Sequence, residues 1–164
     1  MPIRNFREMY IAELQELASM ESQLGNALRR MSQAASHPSL KAALDNHQRE
    51  TVKQSHRLEE ILKNYGVSSR QHTDQAMEAL VKETEKMMKM LSEDNLRDAG
   101  LIASMQKIKH YEIAAYGTAA ALAGQLDIRE DQRQLHESLE EERQADKALS
   151  DLAKSEINQD AVAA

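Results

Sequence analysis

Hydrophobic residues recur along this chain at spacings of three and four, the period of a helix that buries one stripe. Between residues 3 and 35 the stripe reads Tyr10, Leu14, Leu17, Glu21, Leu24, Leu28 and Met31. From 38 to 64 it reads Leu40, Leu44, His47, Thr51, Gln54, Leu58 and Ile61. From 98 to 123 it is Leu101, Met105, Ile108, Glu112, Ala115, Ala119 and Leu122, and from 128 to 154 Leu135, Leu139, Glu142, Asp146, Leu149 and Ala153. A weaker amphipathic segment, 74–91, carries Met77, Leu80, Val81, Met87, Met88 and Leu91. Ser36-His37-Pro38, Gly66 and Gly124 punctuate the pattern, Pro38 being suited to the first turn of a helix. From about residue 156 the pattern lapses, and a frayed, flexible tail is expected there.

The connections between these segments set the topology. The first and second long helices, and the third and fourth, are joined by only a few residues, so each pair is an antiparallel hairpin. The link between the hairpins is roughly 30 residues, enough to run the ~39 Å length of a helix of about 26 residues. Two hairpins joined by one long crossover, itself carrying a short helix, form a ferritin-like four-helix bundle. Residues 1–164 are expected to make a single all-α domain of this kind, large enough for its own core.

All four stripes turn polar at the middle, three of them on a carboxylate. In the second helix the gap is His47, Thr51 and Gln54, and Glu50 lies one turn from both His47 and Gln54. Glu21 and Glu50 stand about 15 and 14 residues from their shared turn, Glu112 and Glu142 about 14 and 16 from theirs, so the four acids fall at one level. The halves also repeat: Glu21 then Glu50 with Gln54 four later, Glu112 then Glu142 with Asp146 four later. Buried like charges need compensation, since each desolvated carboxylate costs several kcal/mol. A pair of divalent cations held by carboxylates from four helices is the usual answer in di-iron and di-manganese bundles. The expected metal ligands are therefore Glu21, His47, Glu50, Glu112, Glu142 and Asp146. The competing reading is a polar layer in which the acids share protons or pair with a basic residue. Lys53 and Arg57 lie near the layer, while Lys109 and Arg143 fall off the stripes.

Composition narrows the partners. The net charge is −6 with both signs interleaved, so there is no basic face for nucleic acid. The absence of cysteine removes disulfide and thiolate chemistry and suits a reducing cytoplasm. Glu8, Glu13 and Glu16 interrupt the first helix before any run of signal-peptide length, and no stretch is long and apolar enough to span a membrane. A cytoplasmic protein with no nucleic-acid or membrane partner is expected. No nucleophile triad, phosphate loop or haem motif is present, so no organic cofactor and no small-molecule substrate can be named.

The segments Ser19–Leu24 (SMESQL), 47–51 (HQRET), 97–103 (RDAGLIA), 110–118 (HYEIAAYGT) and 139–146 (LEEERQAD) resemble the bacterial YciE/YciF family over nearly the whole chain. The resemblance implies a ferritin-like fold similar to that of rubrerythrin, a homodimer, and induction under osmotic or envelope stress. It implies no particular reaction. The chain departs from the di-iron pattern, which places Glu-x-x-His on two helices. Here Lys53 follows Glu50 and Ala145 follows Glu142 at that spacing, while His47 precedes its Glu. Such a set is oxygen-rich and suits Mn²⁺, Fe²⁺ or Fe³⁺ better than Zn²⁺.

Four further expectations follow. Tyr116, one turn beyond Glu112, either bonds a ligand carboxylate or is an ordinary core tyrosine. His110 should face the crossing helix or a dimer partner, and His37, His56, His72 and His136 the solvent. The apolar face of 74–91 should serve bundle or dimer packing rather than a cofactor. Two functions stay open: a stress-associated protein with two iron or manganese ions in its core, or a non-catalytic homodimeric bundle whose polar layer is a vestige.

Overall fold

The computed structural model describes residues 2–164. The elements are α1 (Phe6–Ala34), α2 (Pro38–Asn64), a 3₁₀ turn (Ser69–Gln71), α3 (Gln75–Met90), α4 (Asp94–Gln125), α5 (Arg129–Leu152), a π turn (Ala153–Ile157) and α6 (Asn158–Ala163). There is no strand among the described residues. Local chemistry sets the ends. Asn5 caps α1 by accepting from the Glu8 amide, and Asp74 caps α3 by accepting from Met77. Gly66 closes α2 in the left-handed region (φ 67°), where the Gly66 amide bonds Lys63 and the Val67 amide bonds Leu62. Gly124 does not stop α4. The helix continues to Gln125, and the reversal falls instead on Asp127 at φ 56°, a conformation aspartate tolerates.

Cross-helix hydrogen bonds fix the topology. Glu21 of α1 meets Tyr116 of α4, and the Ser36 amide just beyond α1 meets Asp98 near the start of α4, so those helices are antiparallel. Gln54 meets Glu142 and Arg57 meets Ser138, so α2 and α5 are antiparallel as well. With α1–α2 and α4–α5 as hairpins, α2 and α4 run parallel. That is the ferritin-like arrangement with the long crossover between the hairpins.

The crossover helix packs on the bundle through its apolar face. The Asp74 amide bonds Ser19 Oγ and Glu85 bonds Arg30, so α3 runs lengthwise in the groove between α1 and α4. Met77 is fully buried, and Leu80, Val81 and Met88 pack on the core from its edge. Of the two roles expected for this apolar face, bundle or dimer packing, the chain itself supplies the first.

The frayed tail is a second correction. Ala153 and Ile157 are buried, and the extra residue of the π turn rotates the chain so that both face inward; α6 then continues to Ala163. The clamps at the two ends are polar. Buried Asp98 accepts from the Ser36 and His37 amides at 2.8 Å each. At the other end, buried Asp131 accepts from Tyr10 at 2.9 Å and Tyr65 at 2.5 Å.

Candidate metal centre

Halfway along the bundle the apolar core is interrupted, and three carboxylates converge. Glu21 of α1, Glu112 of α4 and Glu142 of α5 are each 0% exposed, and each offers an oxygen within 4.8 Å of the others. The acids sit there because each holds a seam position of its helix, with leucine, isoleucine or alanine above and below.

Each carboxylate has different company. Tyr116, fully buried, donates to Glu21 Oε1 at 2.5 Å. Glu142 is engaged through both oxygens: Gln54 Nε2 donates to Oε1 at 2.8 Å, and Lys109 Nζ donates to Oε2 at 2.5 Å. Glu112 has neither; the Lys109 ammonium stands 3.0 Å from its Oε2 without hydrogen-bond alignment. Gln54 also donates to Glu141, and Arg57 donates through both guanidinium nitrogens to Glu141 at 2.8 Å, closing the α2–α5 seam beside the layer. Burial raises the Glu141 carboxyl, but the bonds from Arg57 and Gln54 outweigh it and hold it below the usual range.

Lys109 is the residue the sequence reading placed off the stripe, and it is 1% exposed inside the layer. The signal is a second buried stripe: Ile102, Met105, Lys109, Glu112, Tyr116, Ala120 and Ala123 are all buried. The helix is covered on two flanks, by α5 and by α1 with α3, so a single seam underestimates its buried arc.

The remaining expected ligands divide. His47 is 3% exposed and its Nδ1 has no partner among the described residues. Glu50 lies half-buried at the margin, outside the converging trio. Its Oε1 accepts from exposed Asn46 at 3.2 Å, and its Oε2 is buried without a partner. Asp146 is not in the layer. Four residues beyond Glu142 the helix has turned by about 40°, and the carboxylate meets His110 of α4 at 3.0 Å and Gln106 at 3.5 Å. His110 therefore faces α5, from an exposed position, rather than α3. His56, His72 and His136 are exposed, as expected, whereas His37 is half-buried as the cap of α2.

The electrostatics follow from this burial. Desolvation, reinforced by the nearby Glu142 charge, raises the Glu21 carboxyl to about 8 against the opposing pull of Tyr116 and Lys109. The same two causes raise Glu112 well above the ordinary value. Burial, then Lys109, pushes His47 down to about 3, so its imidazole is neutral. Burial works against the Lys109 charge, but Glu112 and Glu142 outweigh it and hold the pKa above that of a free lysine.

Unpartnered buried atoms gather at this level: Glu21 Oε2, both Glu112 oxygens, His47 Nδ1, Glu50 Oε2, Thr51 Oγ1 and Gln54 Oε1. Among the described residues, no buried unpartnered side-chain polar atom lies outside this layer. Most are lone-pair donors of the kind that coordinate a hard or borderline cation, and the donor set fits one.

Fold and layer together define an all-α, ferritin-like bundle with a carboxylate cluster in its core. The chain belongs to the DUF892 family, a domain of unknown function, whose pattern it matches over residues 5–162. It is 36% identical to Protein YciF of Escherichia coli K12 over 162 residues, 98% of each chain. The crystal structure of that E. coli stress protein superposes with a TM-score of 0.90, covering 95% of this chain and 99% of YciF. A second relative, YcfI, a putative structural protein from Rhodopseudomonas palustris, is 30% identical with a TM-score of 0.87 over 90% of this chain and 94% of its own. No described helix is long and apolar enough to cross a membrane.

Proposed function

We propose that this chain is a stress-associated ferritin-like protein whose buried carboxylate layer holds divalent cation, iron or manganese by the chemistry of its donors. The observation that carries this reading is the concentration of unpartnered buried lone pairs at one level of the bundle. Leaving such groups bare costs on the order of 1–3 kcal/mol each, more when charged, and a cation removes that cost. When bound, the cation supplies charge compensation and, for iron or manganese, access to one-electron chemistry.

The residues divide the work. Glu21 Oε2 and the Glu112 oxygens bind, with His47 Nδ1 and Glu50 Oε2 as neighbouring donors. Tyr116 orients Glu21, and Gln54 with Arg57 holds α5 against α2. Asp146, taken up by His110, drops out of the set. The test is metal analysis of protein loaded anaerobically with Fe²⁺ or Mn²⁺ and then desalted. Retained metal supports the reading, and none after reconstitution overturns it.

One observation favours a second reading: Lys109 already brings a cation into the layer. A non-catalytic bundle with a vestigial polar layer, in keeping with the description of YcfI as a putative structural protein, would bind no metal in that experiment. The twofold homodimer implied by the resemblance is compatible with both, and sedimentation at micromolar concentration tests it separately.

A further inference from the structure

The donors of the layer are unevenly used. On the α4–α5 side, Glu142 has one oxygen bonded by Gln54 and the other by Lys109, and the same ammonium faces Glu112 Oε2. That half of the layer is filled. On the α1–α2 side, Glu21 Oε2, His47 Nδ1 and Glu50 Oε2 have no partner among the described residues, and neither Glu112 oxygen is hydrogen-bonded. That half is open.

Charge points the same way. With the three fully buried carboxylates ionised, as coordination requires, they and the one ammonium carry a formal charge of two minus, which one divalent cation cancels. Two divalent cations beside the ammonium would instead leave the buried layer with two positive charges, an unfavourable state in a low-dielectric core. Glu50 stands at the half-buried margin, outside the converging trio, so the count is of the enclosed carboxylates alone.

We propose that Lys109 is a built-in cation occupying the α4–α5 cation position, so that the centre takes a single divalent ion on the α1–α2 side. The proposal rests on the divalent-cation reading above and deepens it: one residue fixes the stoichiometry. A lysine suits the role because its ammonium is a compact point charge with several donors on a flexible stem, able to bridge carboxylates from two helices.

The test is calorimetric titration of the full chain with Co²⁺ or Mn²⁺, comparing wild type with Lys109→Met, Lys109→Gln and Lys109→Arg. Wild type and Lys109→Arg should bind about one ion per chain, and the two neutral variants about two, a twofold rise in stoichiometry. A wild type that binds two, or a neutral variant that keeps a native circular dichroism spectrum and binds no more ions than wild type, overturns the proposal. If wild type binds none while the neutral variants bind one, Lys109 is still the surrogate cation but the divalent-cation reading of the native protein falls. If none of the chains binds, both fall. A measurement that needs no variant guards against misfolding: the electron paramagnetic resonance spectrum of Mn²⁺-saturated wild type should be that of isolated ions. An exchange-coupled pair there overturns the proposal on its own.

Discussion

At the scale of single residues, Tyr116 and Lys109 are the two side chains that give the layer its character. Tyr116→Phe deletes the 2.5 Å bond to Glu21 and leaves a buried carboxyl oxygen bare. The expected loss is about 1–3 kcal/mol in metal-free protein by urea unfolding, and roughly 10–100-fold in metal affinity; no change in either contradicts the assignment. Protonation gives a pH signature in chelator-treated protein. Glu21 is raised to about 8 in the folded state, so its contribution is fully present below the unfolded value of 4.5 and is lost as pH rises towards 8. His47 is depressed to about 3, so unfolding binds its proton below 6.5 and stability rises with pH up to there. The two slopes oppose each other between 4.5 and 6.5, and stability should then fall from 6.5 to 8, as melting temperatures across that range can show. A rise over the last interval contradicts the buried state of Glu21. Tyr116 was legible in the sequence because it sits one turn from Glu112. Lys109 was not, because a charged residue one position off the main stripe reads as solvated until the second buried flank of α4 is known.

At the scale of elements, periodicity located the five main helices, and errors fell where tertiary packing decides. The amphipathic face of α3 was visible with its two possible roles, bundle or dimer packing, but not which helices would take it up. Met77→Ala should therefore destabilise the chain itself by roughly 2–5 kcal/mol in thermal or urea unfolding, since Met77 is fully buried in the core. Unchanged chain stability with altered sedimentation would return that face to an interface. The end of the chain was misjudged for a related reason. Residues 158–164 look polar and short of anchors, yet the π turn puts Ala153 and Ile157 into the core ahead of them. A one-residue insertion in the helical ladder is invisible to a search at a fixed period of 3.6. Asp146 failed on the same ground of angle: four residues past Glu142 it faces His110 and Gln106.

At the scale of the whole molecule, two hairpins with parallel α2 and α4 bring one acid each from α1, α4 and α5 to a common level, and α2 adds His47, Glu50 and Gln54 at its edge. The level was readable from the equal distances of the acids to their turns. How the charges are balanced was not, because that depends on which side chains reach inward. If the layer holds a cation, saturating metal at about 100 times its Kd stabilises the fold by about 2.7 kcal/mol, worth roughly 5–10 °C in a chain of this size. The most direct test is Glu112→Gln, a near-isosteric change at a residue with no hydrogen bond to lose. Melting temperatures are measured anaerobically, with chelator and with saturating Mn²⁺. The account predicts that with chelator the variant melts at or above wild type, because the amide stays uncharged in the core without taking up a proton and Lys109 keeps its bond to Glu142. With Mn²⁺ it should melt below wild type, having lost most of the metal-dependent gain. A variant that melts as high as wild type or higher with Mn²⁺ present would contradict the cation-holding layer.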